Sequence, residues 1–515
     1  MPNAEGENAV GLGAYALCRP GLFPGLLGQL TTADGLATQR IYLTLHHLLK
    51  ELASKRLAAD QKNFAEITQQ LFDHVWGQWG ADTQLLVATF AAGGAATDDA
   101  AFKVACQRWR FCLKALRRLL CFGHAGDART LQDVPAVVTV MPALLSTLNA
   151  LLPYWPHVKD ESHPLHSTIV KGILKLIKTA IEVQTSHPWS CRHTHVLPPW
   201  LEFCFAQICA PLPPAADRFT PLLIQAMIMI QNAMKFSQAN DTALSSGGAV
   251  LGLVGATPGA AERLQSLRHE AKTLFTAFFS PERVFKLSET LAGAYLPLSD
   301  DDMREWEADS EAYYHLQATL SFRDSLRPCA ETLLLVAMQS HRALLAPHML
   351  HWLTSLRAQP PTCTAQLGAA AVAGAAPPPE VRTKEAMYNT FGLGAYELHD
   401  HVDFERWFES HLVLELADRH PAGRAVRRRA AWMVGCWVAK VGDTLRPTAY
   451  RLLITLMDEP DACVQLAAVD ALRALVEDWG FYEGPFLEFA APCFQRLFAL
   501  LKVFEELDSQ LQVSV

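Results

Sequence analysis

The chain has 515 residues, more than one compact core accommodates, since single cores stop growing at about 250–300 residues. Half of its residues are hydrophobic, and 44 Lys and Arg stand against 52 Asp and Glu, a formal net charge of −8. That balance argues against a general nucleic-acid or anionic-membrane binder, both of which favour a basic surface, and suits basic partners.

From the N-terminus onward, MPNAEGENAV lacks the basic start and apolar core of a signal peptide. Ile41, Leu45, Leu48, Leu49 and Leu52 then fall on one helical face, as do Leu113, Leu116, Leu119 and Leu120. The 12 Cys are scattered without a CxxC pair and read as reduced thiols rather than a disulfide framework. The apolar stretch 134–152 carries Pro135, Pro142, Ser146, Thr147 and Asn149, which predicts a buried helix pair rather than a membrane span. Pro211, Pro213 and Pro214 typify the punctuation of short helices by turns. Three stretches rich in Ala, Gly, Pro or Ser, at 91–100, about 240–262 and 359–380, offer few side chains to pack and read as solvated loops.

The repeat pattern is clearest in 445–478. A first helix uses Ala449, Leu452, Leu453 and Leu456, the turn MDEPDA follows with Pro460, and a second helix uses Val464, Ala467, Ala468, Ala471, Leu472 and Leu475. This is how a HEAT repeat reads: an A helix, an Asp-containing turn, and a B helix opening with Val. An earlier B helix, 427–438, presents Ala430, Met433, Val434, Trp437 and Val438, and aligning Ala430 with Ala468 gives a period of 38 (468 − 430), near that of HEAT repeats. A still earlier one begins at Lys384.

The predicted fold is therefore all-α, an α-α superhelix of stacked HEAT repeats. Its segments are HEAT-like helices at 1–90, a low-complexity loop at 91–102, helices at 103–237, a disordered insertion at 238–262, helices at 263–358 containing an acidic segment at 298–311, an Ala/Pro-rich linker at 359–380, and C-terminal repeats at 381–515. The helix at 494–501 would be partly uncovered, and SQLQVSV reads as the first turn of a further B helix. The chain is therefore expected to be a fragment or an incomplete gene model.

Three blocks carry a family resemblance: LASKRLAADQKNF at 52–64, YLPLSDDDMREWEADSEAYY at 295–314, and KEAMYNTFGLGAYELHDHVDFERWFESHLVLEL at 384–416, continuing through RRRAAWMVGCWV and LRPTAYRLL. Together they resemble importin-11-like nuclear transport receptors of the importin-β superfamily. Across the wider superfamily the second block is an acidic run, a Trp and an acidic-Pro pair; Trp306 and Asp309 match, whereas Ser310 replaces the Pro. The resemblance implies a HEAT superhelix that binds protein cargo, the GTP form of the small GTPase Ran, and Phe-Gly nucleoporins. It implies shuttling between cytoplasm and nucleus through the pore, with neither direct nucleic-acid binding nor membrane insertion. It also implies that the principal Ran-binding repeats precede this chain.

The site candidates are surface groups. Asp300, Asp301, Asp302, Glu305, Glu307, Asp309 and Glu311 face one opposing base, Arg304, and form either an electrostatic surface for basic cargo or Ran, or a solvated loop whose acids cap a helix near Ser299. Arg424, Arg427, Arg428 and Arg429 either meet an acidic cargo patch or pair with the Asp of a neighbouring turn. Trp432 lies off the core stripe that holds Trp437, which makes Arg427, Arg428 and Trp432 the candidate cargo contacts. Cys191, His193, His195, Cys204 and Cys209 fit no standard structural zinc spacing and read as polar loop residues beside buried thiols. GLGAY, at Gly11 and Gly392, lacks the third glycine of a dinucleotide fingerprint, and GKS/GKT, HExxH and GxSxG motifs are absent. No catalytic, cofactor or metal site is expected. The competing reading is a HEAT scaffold that holds a complex together without transport.

Overall fold

A computed structural model describes residues 21–30, 34–55, 57–92, 99–245, 259–358 and 377–514. Its architecture is all-α, with no strand among these residues. The chain forms two compact units, one from 1–207 with 213–278, the other from 208–212 with 279–515. Each is a stretch of HEAT-repeat solenoid, as the periodicity predicts.

In the first unit, α1 (Leu22–Leu30), α3 (Ala58–Ala91) and α5 (Pro135–Leu151) alternate in sequence with α2 (Gly35–Ser54), α4 (Ala100–Phe122) and α6 (His166–Ser186). α7 (Leu197–Cys209), α8 (Thr220–Ser245) and α9 (Ala260–Phe278) complete it. α2, α4, α6 and α8 pack side by side in one layer, while α1 and α5 lie against α3 in the other. Asp34 starts α2 by accepting from the Ala37 amide at 2.7 Å, and Asp99 starts α4 by accepting from the Ala101 amide at 3.1 Å. The stripe Leu113, Leu116, Leu119 and Leu120 is wholly buried, and each such side chain contributes roughly 1.5–3 kcal/mol. The Trp109 ring on α4 packs against Gly172 on α6, where an added Cβ would sit 2.5 Å from the ring; only glycine allows this approach.

The stretch predicted as a buried helix pair is one helix, α5, followed by short helical turns to Val158. Pro142 is accommodated inside it, and its apolar face packs on α6 and α3. The run Pro135–Val158 is long and apolar enough to cross a membrane, and 44% of its most apolar window is buried within this unit.

In the second unit, α10 (Pro281–Thr290), α11 (Asp300–Ala308) and α12 (Ser310–Thr319) precede α13 (Leu326–Ser340) and α14 (Arg342–Ala358). α15 (Pro379–Leu393), α16 (Arg424–Cys436), α17 (Arg446–Leu456), α18 (Ala462–Glu477), α19 (Glu483–Leu500) and α20 (Leu507–Ser514) follow. α13, α15, α16, α18 and α20 pack successively as one layer; Val413–Ala417, α17 and α19 pack successively as the other. Every member of the predicted α18 stripe is buried. On α17, Ala449, Leu453 and Leu456 are buried, Leu452 is half-buried, and Tyr450 and Ile454 add to the core. Ala430 and Ala468 are both fully buried in their respective B helices. A Cβ at Gly435 would lie only 3.5 Å from the Ala471 backbone, so small residues do let α16 and α18 approach closely.

Several boundaries differ from the sequence expectation. α8 runs to Ser245, well into the expected insertion at 238–262, because Asn240 is buried and its amide donates to the Arg268 carbonyl on α9 at 2.9 Å. α9 begins at Ala260, α4 at Ala100 and α15 at Pro379, inside segments read as loop or linker. The remainders of those three segments, 93–98, 246–258 and 359–376, lie outside the described residues, as does Arg56 in the block 52–64. α16 starts at Arg424 rather than Arg427 and ends at Cys436, which leaves Trp437 buried in the following turn with its indole N–H donating to the Phe391 carbonyl at 3.1 Å.

Candidate functional site

The acidic segment folds as two short helices. Ser299 caps α11 reciprocally: its hydroxyl accepts from the Asp302 amide at 3.1 Å, and its own amide donates to the Asp302 carboxylate at 2.8 Å. Asp309 caps α12 by accepting from the Ala312 amide at 2.9 Å. Acids in these first turns also complement the helix dipoles.

Trp306 fastens this pair of helices to the repeats. It is only 1% exposed, and its indole N–H donates to both oxygens of Asp461, the N-cap of α18, at 3.1 and 3.0 Å. Tyr313 stacks on its ring at a centroid distance of 5.4 Å, and the guanidiniums of Arg424 and Arg428 lie 5.2 and 5.3 Å from its centroid. Arg424 pairs with Glu307 and, at 3.3 Å, with Asp461. Burial pushes the Asp461 carboxyl up, opposed by Arg424, the Trp306 N–H and the Val464 and Cys463 amides. Further along, Tyr314 donates to Asp470, and Glu311 accepts from the backbone amides of Glu505 and Glu506 at 3.2 and 3.0 Å. The segment thus bridges α16, α18 and the stretch before α20, and it borders an open groove of about 710 Å³ whose lining includes Trp306, Glu307, Arg424, Glu459 and Asp461.

The seven predicted acids therefore divide. Asp302 and Asp309 cap helices, Glu307 pairs with Arg424, and Glu311 anchors backbone amides. Asp300, Asp301 and Glu305 are exposed; Asp300 receives Arg382 at 2.6 Å while 85% exposed, and Asp301 pairs with Arg304 on the same surface. The segment is ordered helix rather than loop.

The basic cluster is placed differently from a cargo patch. Arg427 is 2% exposed and donates to Glu459 at 3.1 Å and to the His420 carbonyl at 2.8 Å. Arg428 lies over the rings of Trp306, Tyr313 and Tyr314. Arg429 donates to buried Glu385 at 2.8 Å, which also accepts from Arg327 at 3.0 Å. Burial alone would raise the Glu385 carboxyl; Arg327 and Arg429 outweigh that and hold it below its ordinary range. Trp432 is half-buried under Arg429, with its ring over Gly392, where a Cβ would be 2.1 Å away. Arg427, Arg428 and Trp432 are thus committed to intramolecular packing, which is what the Arg-to-turn pairing alternative describes: Arg427 with Glu459 and Arg424 with Asp461. The residue that sequence reasoning missed is Asp461 as the acceptor for Trp306, across 155 positions; the acidic MDEPDA turn was its only signal.

In the first unit, Cys191 and Cys204 are buried and His193 lies 2.8 Å from Asp133. No group of three or more His, Cys, Asp or Glu among the described residues is placed to hold a metal ion.

No family model matches the chain. It is 26% identical to human importin-11 over 499 residues, 96% of this chain and 47% of that protein. It is 23% identical to the importin beta-like protein kap113 of Schizosaccharomyces pombe over 516 residues, 96% and 48% of the two chains. In structure it is similar to Lph2, a bidirectional nuclear transport receptor of S. cerevisiae, with a TM-score of 0.74 and 19% identity over 96% of this chain and 46% of that one. The chain spans about half the length of these relatives. Along nearly its whole length, then, the chain is similar to importin-11 and related importin-β superfamily proteins.

Proposed function

We propose that this chain is part of a nuclear transport receptor that shuttles between cytoplasm and nucleus, binding protein cargo, Ran in its GTP form and Phe-Gly nucleoporins, without catalytic activity. The observation that carries this reading is the 26% identity to importin-11 across 96% of the chain, on a HEAT-repeat framework. Within the acidic segment, Asp300, Asp301 and Glu305 are the groups positioned to meet a basic partner, whether cargo or Ran. Asp302, Glu307, Asp309 and Glu311 hold them in place, with Arg428 behind them over the rings of Trp306, Tyr313 and Tyr314. Exposed charges act over roughly 8 Å at physiological salt, so the contribution is chiefly to association rate.

The test is retention of the chain on beads carrying Phe-Gly repeats, with Ser-Gly repeats as control. A transport receptor is retained on Phe-Gly beads alone, whereas its capture by GTP-loaded Ran is expected to be weak because the principal Ran-binding repeats are expected to precede this chain. Equal retention on both bead types supports the scaffold reading instead.

A further inference from the structure

We propose that the first unit carries, across α2, α4 and α6, a docking surface for an acidic segment of a partner protein. The three helices lie side by side and run in the same direction. Gln39 on α2 bonds Gln107 on α4, Arg110 on α4 donates to Ser167 on α6 at 3.3 Å, and Arg117, about two turns further along α4, pairs with Glu182 further along α6. This register brings basic side chains together. On α4, Arg110, Lys114, Arg117 and Arg118 recur at spacings of four, three and one, which is one helical face. On α6, Lys175 and Lys178 sit beside them, and α2 contributes His46.

Burial and the neighbouring cations together depress the bases on this face. Burial together with Arg117, Lys114, Lys178 and Arg118 lowers the Lys175 amine to about 8. Burial together with Lys114, His47, Arg118 and Lys175 lowers the His46 imidazole to about 4. Among the described residues the only carboxylate paired into this set is Glu182, on Arg117. In a chain with more acids than bases, a face drawn from three helices more than 50 residues apart in sequence is not a by-product of composition. Uncompensated like charge opposes folding, and an anionic partner relieves it.

The occupant is an acidic polypeptide rather than a nucleic acid. Nucleic-acid-binding domains carry a strong overall basic excess, whereas this chain has a formal net charge of −8. Neighbouring helix axes are about 8–10 Å apart, which matches about three residues of extended chain. An extended segment with acids at that interval would meet successive helices. This inference does not rest on the transport reading and would hold for a scaffold as well.

The experiment is fluorescence anisotropy of a labelled oligoglutamate peptide of about twelve residues, long enough to cross three helices, titrated with the full 515-residue chain at about 50 mM salt. Saturable binding is expected, weakening about tenfold or more in the Lys114→Glu/Lys175→Glu/Lys178→Glu variant and when salt is raised to about 200 mM. Should that variant melt early by circular dichroism, Lys178→Gln, an exposed substitution that leaves the core untouched, decides, with a loss of about twofold expected. No binding by the wild type, or an affinity that neither variant lowers, overturns the proposal. Displacement of the peptide at equal or lower concentration by an oligonucleotide of the same charge overturns its partner class.

Discussion

The acidic clasp of the second unit and the basic face of the first both concentrate charge, yet in opposite ways. Around Trp306, Glu307 meets Arg424, Arg424 meets Asp461, and Glu459 meets Arg427, so these five charges are paired with opposite ones. Across α4 and α6, Lys114, Arg118, Lys175 and Lys178 neighbour one another, and burial together with these neighbours lowers the Lys175 amine. Compensated charge is architecture: it fixes how successive repeats and the inserted helices lock together. Uncompensated charge is stored repulsion that a ligand can release. Net charge alone would assign partners the other way round, since it recommends basic ones and does not reveal the basic face.

The largest effect should come from breaking the clasp. Trp306→Ala removes a fully buried ring, the donor to Asp461 and the platform under two guanidiniums, and should destabilise the second unit by about 3–5 kcal/mol in urea denaturation. Glu385→Gln leaves buried Arg429 without its carboxylate partner and Arg327 with Glu331 alone, and should cost about 3 kcal/mol by the same measurement. If either substitution proves neutral, the second unit's charges are not architectural and the contrast collapses.

Smaller effects sharpen it. In the fold the Lys175 amine is held at about 8, below the ordinary value of 10.5, so the unfolded chain binds more protons between those values. Amides of α6 should therefore become harder to open as pH rises from about 8 to 10.5, and Lys175→Gln should remove that slope in hydrogen exchange. The His46 imidazole, held at about 4 against an ordinary 6.5, has the same sign: stability is lost as pH falls from 6.5 towards 4, where the unfolded chain takes up a proton first. The smallest effect is expected for Asp301→Lys with Glu305→Lys. Both side chains are exposed, so stability should change by under about 0.5 kcal/mol, while association with a basic partner slows.

Helix identity and core faces were legible because each depends on residues within one helix. The α18 stripe from Val464 to Leu475, the leucines of α4 and the 38-residue offset between Ala430 and Ala468 are all local patterns. Contacts between repeats were not legible. Trp306 reaches Asp461, 155 positions later in the chain and beyond three helices of the layer, and no periodicity encodes that. For the same reason the acids of 298–311 read as one uniform charged run, although capping, pairing and exposure divide them. The basic face escaped notice because Lys114 and Lys175 become neighbours only once α4 and α6 are laid in register.

The most direct measurement is local opening of α18 and α6 by native-state hydrogen exchange, comparing the wild type with Glu307→Gln/Asp461→Asn and with Lys114→Gln/Lys175→Gln. Neutralising the compensated network should ease the opening of α18, and neutralising the crowded face should leave α6 equally or more resistant. The same direction of change in both helices, with easier opening when the lysines are removed, would contradict the distinction between architectural and stored charge.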